Sequence, residues 1–144
     1  MTIDLNGDQC SCGNRGCLEQ YASERAVIEK YKQLTGESLP FVTIIKRMEK
    51  GDPAASQAIE SAAYYLGVGI SSLVNGLNPK LILVSSRYGA VNDSFIDMAV
   101  QTIQERSFIN PYSPAQVRAS AFGPLSCAIG AASLVLQTHF AGPR

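Results

Sequence analysis

The sequence has no surplus of charge of either sign: 12 basic residues balance 12 acidic ones across 144 positions. It therefore lacks the basic stripe that phosphate backbones select, and direct nucleic-acid contact by this segment is not expected. No apolar run reaches the roughly 18 residues that a membrane span needs. The opening "MTIDLNGDQ" lacks the basic start and apolar stretch of a secretory signal. Internal repeats and low-complexity tracts are also missing. Histidine is almost missing: His139 stands alone near the end of the sequence, and reads as a surface or helix-end residue rather than a ligand. These absences leave a globular chain with the cytoplasm as the default location and no membrane partner. A composition of 46% hydrophobic and 17% charged residues suits a packed core. The length is that of one domain or a piece of a larger one.

Cysteine is scarce but concentrated. Three of the four cysteines, Cys10, Cys12 and Cys17, fall within "CSCGNRGC". In a reducing compartment such a cluster binds metal more often than it forms disulfides. Zinc takes four tetrahedral ligands, usually thiolate or imidazole, and these cysteines supply three. Gly13 and Gly16 would let the loop fold back so that the sulfurs converge. The alternatives are free thiols that merely cluster, or one strained disulfide. The C-x-C pair would close a very small ring, which disfavours the disulfide. Cys127, set among Leu125, Ala128 and Ile129, reads as a small buried apolar residue rather than a reactive thiol.

The element pattern begins with a short alternating strand and an Asn6-Gly7 turn. "LEQYASERAVIEKYKQL", residues 18–34, reads as one helix. Its mixed face is drawn from Ala22, Ala26, Ile28 or Glu29, and Leu34, with Lys30 and Lys32 near its end as the helix dipole prefers. "FVTIIKRMEKG" is a short helix stopped by Gly51. Asp52-Pro53 is a helix start, an N-cap followed by proline at the first helical position. The long pattern after it places Ile59, Ala62, Leu66, Ile70, Leu73 and Leu77 at spacings of three or four, and ends at Asn78-Pro79. Gly67, Gly69 and Gly76 in that helix suggest close packing. "KLILVSS" has the continuous apolar run of a parallel strand buried on both faces. Asn92 then caps a helix with Phe95, Ala99 and Ile103 on one face and Ile96 and Val100 beside them. "QVRASAF" alternates as a second strand, with Val117, Ala119 and Ala121 on one side, and an apolar helix over 124–140 closes the sequence. Strand, helix, strand, helix makes a βαβα unit with a parallel crossover. So few strands cannot complete a sheet, which points to part of a larger α/β fold or to pairing with another copy.

The stretch "CSCGNRGCLEQYAS" resembles the signature of the ROK family, which joins bacterial sugar kinases with sugar-responsive transcriptional repressors. The family pattern C-x-C-G-x-x-G-C-x-E-x-x-x-S is met by Cys10, Cys12, Gly13, Gly16, Cys17, Glu19 and Ser23. "GISSLVNGLNPKLILVSS" and "FGPLSCAIGAASLVL" are similar to later family segments, so the resemblance covers nearly the whole chain.

The resemblance implies an α/β chain, the C-terminal lobe of an actin-like, RNase H-like ATPase fold, helix-rich with a βαβα unit and a zinc knuckle. One partial domain over 1–144 would divide into a strand and knuckle segment (1–23), a helical segment (24–78) and the βαβα segment (79–144). Cys10, Cys12 and Cys17 would be metal ligands. The family's histidine ligand, from a Gly-His pair, is expected ahead of Met1, as are its phosphate-binding loop, its catalytic aspartate and any helix-turn-helix. Glu19 would be the sugar-contacting residue, since a carboxylate can accept from two hydroxyls; a helix-start glutamate favoured by the dipole is the plainer alternative. A kinase needs an aspartate as general base and groups holding ATP and magnesium. None is matched, so no catalytic residue is assigned and the chain alone is expected to be inactive. Where ROK kinases carry a glycine turn after the strand, this sequence has Ser85, Ser86 and Arg87. That departure favours the repressor branch: an effector-binding and oligomerisation portion of a sugar-responsive regulator, itself a homo-oligomer. Half of a glucokinase or N-acetylhexosamine kinase is the alternative.

Overall fold

The computed structural model describes residues 1–84, 93–109 and 112–140, apart from the side chains of Asp93 and Pro124. Among the described residues, six helices and two strands run in the order α1 (Glu19–Ala22), α2 (Glu24–Thr35), α3 (Phe41–Glu49), α4 (Pro53–Leu77), β1 (Leu81–Val84), α5 (Asp93–Arg106), β2 (Gln116–Ala119) and α6 (Ser126–Phe140). A 3-10 turn, Gly123–Leu125, leads into α6. Among the described residues no helix is long and apolar enough to cross a membrane.

The long helix α4 is the spine. Asp52 starts it as expected: its carboxylate accepts from the backbone N–H of Ala54 and Ala55, and Pro53 needs no donor there. It stops at Asn78, which adopts the left-handed conformation at φ 45°. Against it pack α2, α3 and α5. Val27, Tyr31, Ile44, Ile45, Phe41, Ala58, Ile59, Ala62 and Phe95 form the main core. Each fully buried aliphatic side chain there contributes about 1.5–3 kcal/mol of transfer free energy. A second cluster, Ile70, Val74 and Ile103, takes Ile82, Val84 and Val117 onto the far half of the helix.

Several expectations shift. The opening segment forms no strand; Thr2 pairs with Cys17 in an isolated antiparallel bridge. The turn there runs from Asp4 to Gly7, closed by Gly7 N–H on Asp4 O at 3.2 Å. The single helix expected over 18–34 is broken at Ser23, whose backbone is extended and whose hydroxyl caps α2 by accepting from Ala26 N–H. The buried positions of α2 are Val27 and Tyr31, whereas Leu34 is exposed. On α4 the buried stripe passes to Val74 and leaves Leu73 and Leu77 exposed. Leu77 lies about five full turns after buried Ile59 and so on the same side of the helix, and its exposure reflects a lack of cover near the C-terminal end of α4 among the described residues. Gly67 is needed for close approach: a Cβ there would stand 2.5 Å from Thr102 Cβ. Gly76, by contrast, faces open space.

The two strands are parallel, with Leu81 opposite Gln116 and Val84 opposite Ala119. This confirms the parallel βαβ arrangement, but β1 is not buried on both faces. Ile82 and Val84 pack inward while Leu81 and Leu83 are exposed. On β2, Val117 is half-buried and Ala119 is exposed; the strand ends at Ala119, so Ala121, expected on its inner side, lies in the following turn and is exposed. Phe95, Ala99 and Ile103 of α5 are buried as the pattern required. Helix α6 buries no residue. Cys127 is therefore exposed, not a buried apolar residue, because the face it was expected to pack on α6 has no cover among the described residues. His139 lies in the last turn of α6, exposed as expected. Asn92, Ser85, Ser86 and Arg87 lie outside the described residues.

Candidate metal centre

The cysteine loop is shaped by its backbone. Gln9 and Arg15 form an antiparallel bridge, and Cys10 N–H donates to Asn14 O at 2.7 Å. Gly13 N–H closes a turn on Cys10 O at 3.0 Å. Gly16, at φ 60°, threads past the N-terminal segment, donating to Asp8 O while its own carbonyl accepts from Ile3 N–H, both at 2.8 Å. A Cβ on Gly16 would sit 1.5 Å from Asp4 O, so no other residue fits. Arg15 fastens the loop from outside, its Nε donating to Gly7 O at 3.2 Å.

This folding brings Cys10, Cys12 and Cys17 together. Their three sulfurs lie within 4.8 Å of one another, with Cys12 and Cys17 at 3.6 Å. All are free thiols, which rules against the strained disulfide. Cys10 and Cys17 are buried and Cys12 is exposed. Tetrahedral zinc with bonds of about 2.3 Å holds its sulfurs about 3.8 Å apart. The cluster is thus of the size one such ion takes, and the donor set is all sulfur, which suits a soft or borderline metal. The thiols do not ionise alike. Hydrogen bonding from the Cys12 backbone and thiol to Cys10 pulls its pKa down to about 7. Cys17 is pushed up to about 11, first by its hydrogen bond with Cys12 and then by burial. His139, on α6, is not part of the group.

Glu19, the other expected site residue, opens α1 two positions after Cys17 and is exposed. It does not line the polar cavity of about 360 Å³ between α2 and α4, whose walls include Asp8, Tyr21, Arg25, Lys30 and Tyr65. Two residues that the sequence did not single out touch the cluster or brace it. Gln20 Nε2 donates to Cys10 Sγ at 3.4 Å, and Arg25 Nη2 donates to Gln20 Oε1 at 2.7 Å. A long amide one helical turn past the third cysteine was the available signal. Arg25 was not findable without knowing that the chain breaks at Ser23.

The ROK family model matches residues 1–138. The xylose repressor of Bacillus subtilis strain 168 is 31% identical over 140 residues, covering 97% of this chain and 36% of that protein. A crystal structure of a ROK family glucokinase from Streptomyces griseus, in complex with glucose and AMPPNP, superposes with a TM-score of 0.83 at 26% identity. That match covers 93% of this chain and 49% of the glucokinase. A ROK family transcriptional regulator, a homologue of the E. coli MLC protein, superposes with a TM-score of 0.71 at 27% identity, covering 83% of this chain and 33% of that one. The chain therefore spans between a third and a half of the length of these relatives. The fold is the helix-rich α/β arrangement shared by ROK kinases and regulators, and the chain belongs to the ROK family.

Proposed function

We propose that this chain is the effector-binding and oligomerisation portion of a ROK sugar-responsive transcriptional regulator. In this reading Cys10, Cys12 and Cys17 hold a structural zinc ion and Glu19 contacts the sugar. The zinc would supply a rigid cross-link, and the chain's own residues do the rest. The bridge of Thr2 to Cys17 and the Gly16 contacts fix the loop, which sets the start of α1 and hence Glu19. Cys17 and Glu19 are separated only by Leu18, so ordering the third sulfur orders the carboxylate. A carboxylate at that point can accept hydrogen bonds from two adjacent sugar hydroxyls.

The observation that carries the regulator reading is the 97% coverage of this chain by its match to the Bacillus subtilis xylose repressor. That relative makes xylose the first sugar to test. The convergence of the three sulfurs supports the metal reading but does not separate regulator from kinase. A second reading, half of a sugar kinase, is favoured by the TM-score of 0.83 to the glucokinase.

The test uses the protein expressed from its full reading frame. About one zinc per chain, lost in Cys10→Ser and Cys17→Ser, is expected by metal analysis. Calorimetry should show sugar binding that weakens at least tenfold in Glu19→Gln. ATP-dependent phosphorylation of a hexose panel should be absent; turnover there would replace the regulator reading with the kinase one.

A further inference from the structure

We propose that Gln20 is a positioning residue of the metal knuckle, donating through Nε2 to the Cys10 thiolate and held in that orientation by Arg25. The inference rests on the metal reading above and adds two residues to it. The two hydrogen bonds, 3.4 Å to Cys10 Sγ and 2.7 Å from Arg25 Nη2 to Oε1, run in one direction. A guanidinium can only donate, so the amide oxygen must face Arg25. That leaves the amide NH₂ for the sulfur, and a thiolate can only accept. The chemistry of the two ends thus fixes the orientation of an amide that could otherwise flip.

The backbone break at Ser23 creates this arrangement. Gln20 stands on α1 and Arg25 on α2; the extended Ser23 between them turns the second helix so that the Arg25 side chain returns to Gln20. A continuous helix would put residues five apart on different faces. Cys10 is only 4% exposed, so water does not readily replace the amide as donor. A hydrogen bond accepted by the sulfur stabilises the thiolate form that metal binding requires and fixes the direction of the sulfur, so its loss costs affinity. Partners of this kind change metal affinity about 10–100-fold when removed.

The probe is cobalt(II) added to the full-reading-frame protein, with affinity measured by chelator competition and the thiolate-to-cobalt charge-transfer band by absorbance. Gln20→Met keeps the length and removes the donor. It is expected to lower affinity about tenfold or more and to move the band to lower energy, since an unbonded sulfur is easier to oxidise. Arg25→Met should do the same more weakly, and Arg25→Lys, which restores a donor to Oε1, should recover most of both. Circular dichroism of each metal-free variant checks that it folds. Wild-type affinity in Gln20→Met, or an affinity loss with no band shift, overturns the inference while leaving the metal centre intact. Failure of the wild-type protein to bind cobalt or zinc overturns the metal centre itself, and this inference with it.

Discussion

Tyr31 is fully buried, yet it carries a hydroxyl into the junction of three helices. Its Oη donates to Asp52 Oδ2 at 3.1 Å and accepts from Arg47, which also pairs with Glu37 at 2.9 Å. Asp52 simultaneously caps α4. Its carboxyl is held below the usual 3.8, first by the Ala55 N–H, then by Tyr31, the Ala54 N–H and the Arg47 charge, against some opposing desolvation. A depressed folded pKa means that this stabilisation is complete above the ordinary carboxylate range and is lost as pH falls through the folded value. Stability should therefore decline in acid below about pH 4, and Asp52→Asn, which keeps a capping oxygen, should flatten that limb in urea titrations. An unchanged slope in the variant would show that other carboxylates set it. Tyr31→Phe should cost about 1 kcal/mol at neutral pH. The Asp52-Pro53 cap was legible in the sequence because capping is local. The Tyr31 link was not, because it joins positions 21 and 16 residues apart. The metal centre divides in the same way: its cysteines and glycines sit in one short motif, whereas Gln20 and Arg25 gain their meaning only from the break at Ser23.

At the scale of elements, the glycines of α4 separate two roles that look alike in sequence. Gly67 lies against α5, where an added methyl would meet Thr102 Cβ and the Ala99 carbonyl. Gly76 has nothing within 4 Å. Gly67→Ala should destabilise the chain by about 1–3 kcal/mol through overpacking. Gly76→Ala should instead be neutral or stabilise by up to about 1 kcal/mol, since alanine holds a helix better. Chemical denaturation of both variants tests the α4–α5 contact: equal effects would mean that the close approach at Gly67 is absent in solution. Helix type and most boundaries were readable from periodicity and punctuation. Which residues faced the core was less so, since Leu73 and Val74 are equally apolar and only the packing of Val74 with Ile103 of α5 separates them. The buried face of α5 was legible because Phe95, Ala99 and Ile103 all lie against α4.

For the whole molecule, the parallel pair of strands sets the physical problem. Parallel sheets are almost always covered on both faces. Here Leu81 and Leu83 on β1 are 50% and 58% exposed, and α6 presents Leu134, Val135, Leu136 and Phe140 with more than half of each accessible. Helix α6 is the most apolar of the helices by composition and still buries nothing, so its apolar surface is left uncovered among the described residues. Exposed apolar surface on this scale favours association. The 144-residue chain on its own should form dimers or larger species in light scattering at high micromolar concentration. Replacing Leu134 and Leu136 together by Gln should shift it towards monomer without loss of helix content, because neither residue supports the core. A monomeric wild-type chain would mean that α6 and the open strand face are tolerated in water. The double variant staying associated would move the contact to the strand edges, where unpaired N–H and C=O groups offer the other route to pairing.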